Sequence, residues 1–526
     1  MQMVARKADA VFYNGRVYSL DPEVRVAKAI AVADGRIIAV GTDAEIKSSA
    51  PRGCDKYDLG GKIVIPGFID SHTHFVNMGI DSMNVDLFGC KSMDDAMSRM
   101  KSGAKKTPEG EWVLGAGWME SRWDQGRFIT KDDLDSCCPN HPAVAHRICG
   151  HLSTVNTKAI SVLGINVDIP GVEKSASGAL TGVLKESAVA LVRETTAPDA
   201  NRKMKGLVAA MRKAHSLGVT SVQDNGEAEH LSVYQTAERA GKLGVRIWFN
   251  VPYANLDAMR SLNLSSGLGS ERLKIGGLKI FCDGALGART ASLSEAYNDD
   301  PKNTGMFVHP VDELDDMIHK ANDGSIQLVV HAIGDKGIEA VIGSMEDALE
   351  CTPRKNHRHR IEHLELPTAN QLKRMRSLGI IASMQPNFVG EWGGINGMYY
   401  ERLGPERAML NNPFKDVLKS RVKMVFGSDC MPFSPLYGVT SAVNAPHDSQ
   451  RITAEEATVA YTRDAAYASF EENVKGTITE GKFADFVVLS GDPFSDPSLV
   501  RDVSVLKTIM DGEIVYDGTR IGKKRS

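Results

Sequence analysis

The stretch Ile63-Val64-Ile65-Pro66-Gly67-Phe68-Ile69-Asp70-Ser71-His72-Thr73-His74 decides the reading of this chain. An apolar run leads into two histidines two residues apart. In an extended strand, residues i and i+2 point to the same side. Both imidazoles therefore reach one point at the strand's end. Neutral imidazole is a common ligand of zinc and related ions. The stretch predicts a buried strand whose end carries half of a metal site, with the other half expected at other strand ends.

Working outward, seven more strands are expected at 219–224, 245–250, 278–281, 326–331, 359–363, 380–385 and 423–429. Helical patterns over 204–217, 311–322, 337–349 and 369–378 separate most of them. Eight strands alternating with helices predict an α/β fold, a (β/α)8 TIM-type barrel. An open doubly wound sheet is the alternative, and no G-x-G-x-x-G follows a strand to support it. Barrel active sites lie at the C-terminal ends of the strands. Lys279, His331, His363 and Asp429 stand at or near such ends, on strands four, five, six and eight. Each alone has a plain reading: a capped histidine, a turn-capping aspartate, a lysine that snorkels or pairs internally. Six suitable residues on five strands of one barrel are harder to assign to packing.

The chain's ends read as β structure. Asn14-Gly15, Asp34-Gly35 and Asp511-Gly512 each sit between apolar runs and predict three hairpins. Residues 1–62 and 474–526 are therefore assigned to one composite β-sandwich, and 63–473 to the barrel. Residues from about 76 to 203 are too long for a barrel connection and read as an inserted subdomain over the barrel mouth. Trp112, Trp118 and Trp123 fall there, three of the chain's five tryptophans. Trp118, Trp123 and Trp392 are candidate substrate contacts, or else, for the insert's tryptophans, its own core.

Composition excludes other classes. Among 526 residues, 42% are hydrophobic, and the net charge of −4 gives no footprint for nucleic acid or an anionic membrane. No apolar run reaches the ~18 residues of a membrane span. The first residues do not read as a secretory signal. Eight cysteines form no C-x-x-C pair, so a structural zinc knuckle is not expected and free thiols in a reducing cytoplasm are.

With these residues in view, the chain resembles the amidohydrolase superfamily. The matching stretches are Pro66 to His74, His331-Ala332-Ile333-Gly334-Asp335, Ile361-Glu362-His363, Gly427-Ser428-Asp429 and Gly476 to Asp485. The run Lys279-Ile280-Phe281-Cys282-Asp283-Gly284 through Ala291, with Gly150-His151-Leu152-Ser153-Thr154-Val155-Asn156, is similar to the branch called amidohydrolase 3 or YtcJ-like. The resemblance implies a barrel with a composite sandwich and a centre of one or two metal ions, zinc in the usual case and other divalent ions as alternatives. His72 and His74 would hold one ion, His331 and His363 a second. Lys279, carboxylated by CO2, would bridge them, and Asp429 would ligate and take a proton from the attacking water. An acidic residue is expected where Cys149 stands, which removes support for a polar role there.

The implied activity is hydrolysis of a non-peptide, amide-like C–N bond of a small molecule by metal-activated hydroxide. His151 is a candidate helper at the carbonyl, and Arg289 and Gln385 are further candidate substrate contacts. Deaminase, lactonase or carbamate-hydrolase chemistry on the same centre is the alternative, and a non-catalytic scaffold a third reading. The partner expected is a small-molecule substrate, with no nucleic acid and no membrane; a homodimer is a family-level expectation.

Overall fold

The computed structural model describes residues 7–23, 26–120, 123, 125–147, 152–185 and 187–523. The chain forms two compact units, one from 1–75 with 211–526 and one from 76–210.

The first unit holds eight parallel strands in chain order: β1 (Phe68–Thr73), β2 (Val219–Asp224), β3 (Arg246–Pro252), β4 (Leu273–Phe281), β5 (Leu328–Ala332), β6 (Arg360–His363), β7 (Ile381–Met384) and β8 (Met424–Phe426). Helices His230–Arg239, Val311–Asp323, Asp335–Cys351 and Ala369–Leu378 follow β2, β4, β5 and β6. The strands are buried almost throughout, as parallel strands covered by helices must be. Barrel closure is visible just past β8. The Asp429 amide donates to the His72 carbonyl (2.8 Å), and the Ser428 amide donates to Asp70 Oδ1 (2.9 Å). A Cβ on Gly427 would lie 2.3 Å from the His72 nitrogen, so glycine permits this approach.

The apolar run from Ile63 to Ile69 serves two sheets. Ile63–Pro66 pairs with Arg16–Tyr18 and Phe486–Leu489 in a six-stranded sheet, and only Phe68–Thr73 enters the barrel. The sandwich thus continues four residues past the expected boundary at 62. Pro66-Gly67 makes the break, and a Cβ on Gly67 would meet Thr220 Oγ1 at 2.3 Å. A four-stranded sheet faces the six-stranded one across a core that includes Phe12, Val17, Ile30, Val64, Phe486 and Ile509. Hairpins form at Asp34-Gly35 and Asp511-Gly512, where both residues of each pair have positive φ. The hairpin expected at Asn14-Gly15 does not form. Asn14 turns at φ 58°, but Gly15 has no positive φ, and the chain crosses to the other sheet.

The second unit is built on a six-stranded mixed sheet with helices that include Met93–Ala104 and Lys131–Cys137. Trp118 and Trp123 are buried in its core with Leu87, Met100 and Leu134. Their rings stack 5.7 Å apart, and their indole N–H groups donate to the carbonyls of Ala145 and Cys90. Both side chains pack in the insert's own core, the alternative reading of these two tryptophans. Among the described residues no helix is long and apolar enough to cross a membrane.

Candidate metal centre

Strand β1 delivers Asp70, His72 and, one step beyond it, His74, all on one side by alternation. His72 Nδ1 bonds the Glu362 carboxylate, which leaves its Nε2 lone pair facing Asp429 Oδ1 at 3.6 Å. His74 Nε2 lies 3.3 Å from the same oxygen. His72, His74 and Asp429 each offer a ligand atom within 4.8 Å of the others.

The other histidines join this group. The His72 and His363 rings are 4.8 Å apart, and those of His363 and His331 are 4.4 Å apart. His331 Nε2 bonds the Gly284 carbonyl at 3.0 Å. A carbonyl only accepts, so Nε2 carries the proton and Nδ1 keeps the free lone pair. His363 Nδ1 bonds Gln385 Oε1 at 2.7 Å, and the same logic frees its Nε2. A ligating histidine held by a bond at its other nitrogen is the usual arrangement of a metal site.

Backbone strain places two of these groups. Strand alternation would turn His363 away from the side that Glu362 faces. A φ of 72° at His363 turns it back. Asp429 and Cys430 take φ 49° and 62°. Left-handed non-glycine residues cost energy and collect at functional sites.

The electrostatics favour neutral imidazoles at His72, His331 and His363. Burial lowers the pKa of His72 and His363, and brings His331 down to about 3; the Lys279 charge adds to this at all three. Burial works the same way on His74, but its bond to Asp429 lifts it above the ordinary value. Glu362 is raised by burial, yet Arg360 and His72 hold it well below the usual carboxylate range. Burial pushes Asp429 up as well, and the attraction of His72 and His74 brings it below its ordinary value.

Lys279 is the telling residue. It is 5% exposed, and its Nζ has no hydrogen-bond partner among the described residues. An unpaired buried ammonium is costly. Burial pushes its pKa down to about 8. Its charge lowers the pKa of all four histidines, and its Nζ lies 4.7 Å from the Phe281 ring, itself 5.3 Å from that of His331. The four imidazoles, Asp429 and a lysine nitrogen in want of partners make a donor set suited to a divalent ion.

Beneath the ligands lies a charged layer that strand patterns alone did not flag. Arg360 and Glu362, fully buried two apart on β6, pair with each other. Arg360 also donates to Gln223 Oε1, the Ser71 carbonyl and Ser383 Oγ. The signal was available: two opposite charges inside a four-residue buried strand demand a partner. Glu362→Gln is expected to weaken metal binding by about 10–100-fold, because the carboxylate orients His72. Competition with a chelator measures this; unchanged affinity in a folded variant would reduce Glu362 to a counter-charge for Arg360.

The remaining candidates fall out differently. Gln385 is buried, and its oxygen is committed to His363, so it positions a ligand rather than meeting substrate with that atom. Arg289 is held by Asp299 through two bonds, 3.1 and 2.7 Å. Trp392 is half-buried, 4.7 Å from Phe388, whose ring is nearly parallel to that of His363. His151 and Cys149 lie outside the described residues.

Comparison with known proteins places these residues in a family context. The amidohydrolase family model matches residues 55–516. The chain is similar to YtcJ of Bacillus subtilis (strain 168), 32% identical over 97% of this chain and 99% of that one. It is also similar to the N-substituted formamide deformylase of Arthrobacter pascens, 27% identical over 97% and 99%. Among solved structures, an uncharacterized metal-dependent hydrolase from Pyrococcus furiosus superposes with a TM-score of 0.79, at 30% identity, covering 92% of this chain and all of that one.

Proposed function

The chain belongs to the amidohydrolase family, and from that premise we propose that it is a metal-dependent hydrolase of a non-peptide, amide-like C–N bond in a small molecule. The observation that carries this reading is the cluster of His72, His74 and Asp429, together with a buried Lys279 nitrogen that has no hydrogen-bond partner among the described residues. The similar formamide deformylase adds support for the bond type. His72, His74, His331, His363 and Asp429 would hold one or two zinc ions. Lys279 would join them as a carbamate: its neutral amine adds to CO2, a proton leaves, and a costly buried cation becomes an anionic oxygen donor.

When bound, the metal supplies Lewis acidity that polarises a carbonyl and makes water acidic enough to attack at neutral pH. Asp429 accepts the proton of the attacking water on a carboxylate oxygen. As the C–N bond breaks, the same carboxylate returns that proton to the leaving nitrogen, so one group serves as base and then acid. Against the upward push of burial, His72 and His74 hold the Asp429 carboxyl below its ordinary value, in the anionic form that accepts this proton.

The test is a panel of N-formyl and N-acyl amines, lactones, carbamates and aminopurines given to zinc-loaded protein. Amine release from the first two groups is expected. Turnover confined to lactones or aminopurines would overturn the bond assignment.

A further inference from the structure

Phe281 ends β4 two residues after Lys279, so the two side chains share the barrel's inner side. It is in register with His331 on β5. Its ring lies 4.7 Å from Lys279 Nζ and 5.3 Å from the His331 ring. Lys279 and His331 are buried, yet Phe281 is 44% exposed. Scattered exposed apolar side chains are ordinary. This one stands between a ligand candidate and open space, at the end of the strand where barrel enzymes meet their substrates.

It also has company. Phe388 lies nearly parallel to the His363 ring, 7° between planes and 5.9 Å between centroids, with Trp392 4.7 Å beyond it. Phe281 at the end of β4 and Phe388 in the helix after β7 thus set aromatic rings against His331 and His363. Of these, Phe281 is the one left largely open. A phenyl face so placed gains most from another flat apolar surface laid on it.

We infer that Phe281 is a specificity-determining residue. Its ring receives an aromatic group of the substrate attached next to the bond that is cut. The inference rests on the hydrolase reading for the identity of that bond, but the aromatic subsite can be tested without turnover.

Hydroxamates bind metal centres whether or not an enzyme turns them over. Benzohydroxamate and acetohydroxamate share the chelating head and differ in the ring. Calorimetry on the zinc-loaded full chain should show benzohydroxamate bound at least about 10-fold more tightly. In Phe281→Ala that preference should collapse, with acetohydroxamate affinity changed by less than about 2-fold and zinc content unchanged. Phe281→Leu, which keeps bulk but loses the flat face, should fall between and guards against misfolding of the alanine variant. A parent with no preference for the ring, or a Phe281→Ala protein that keeps it, would overturn the inference. Ring preference without turnover of any amide would instead leave the subsite standing and defeat the amide-bond assignment.

Discussion

Replacing Asp429 by asparagine should lower kcat by about 10³-fold, within the range that general acid–base groups supply, while most of the metal stays bound. Asparagine keeps the size of the side chain and an oxygen that can approach a metal. It loses the basic carboxylate that His72 and His74 face at 3.6 and 3.3 Å. The four histidines remain, so affinity for metal should fall much less than turnover. Because proton transfer occurs in the transition state, kcat and kcat/KM should fall together. Steady-state kinetics and metal analysis of one preparation give both numbers. Near-normal kcat would remove Asp429 from proton transfer. Loss of all metal would make it mainly a ligand.

Lys279→Ala carries the second large effect. The nitrogen has no hydrogen-bond partner among the described residues, and burial works against its charge. If Lys279 holds metal as a carbamate, the alanine variant should lose one bound ion and at least about 100-fold in activity, the upper cost of removing even an outer partner of a ligand. It also leaves a cavity at the place of the missing carboxylate. Acetate or propionate should therefore restore part of both metal content and rate. Lys279→Met fills the cavity without a donor and should not respond to either acid. A Lys279→Ala protein with full metal and activity would show that the amine serves packing alone.

How much of this was legible in the sequence differs from residue to residue. Strand β2 is legible at its observed bounds, because the β-branched Val219, Thr220 and Val222 stand between Gly218 and the turn residues Asn225 and Gly226. The candidate cluster is legible because its members stand at strand ends, and strand ends in a barrel converge. Pro66-Gly67 hid a change of sheet inside one apolar run, since burial in a sandwich and in a barrel select the same residues. Asn14-Gly15 carries a hairpin signal, but the pairing of its flanking strands is decided by distant partners at Ala29–Ala33 and Ile63–Pro66. Trp118 and Trp123 showed the insert to be aromatic without showing which way they faced. The positive φ of His363, and the pairing of Glu362 with His72 across 290 positions, come from packing that no local pattern encodes.

The central claim is that this cluster is a metal centre. Its most direct test is the metal content of protein purified without chelators, by plasma mass spectrometry. One or two zinc or other divalent ions per chain are expected, lost when His72 and His74 are replaced together. A folded protein that holds no ion, and takes up none from added zinc, would contradict it.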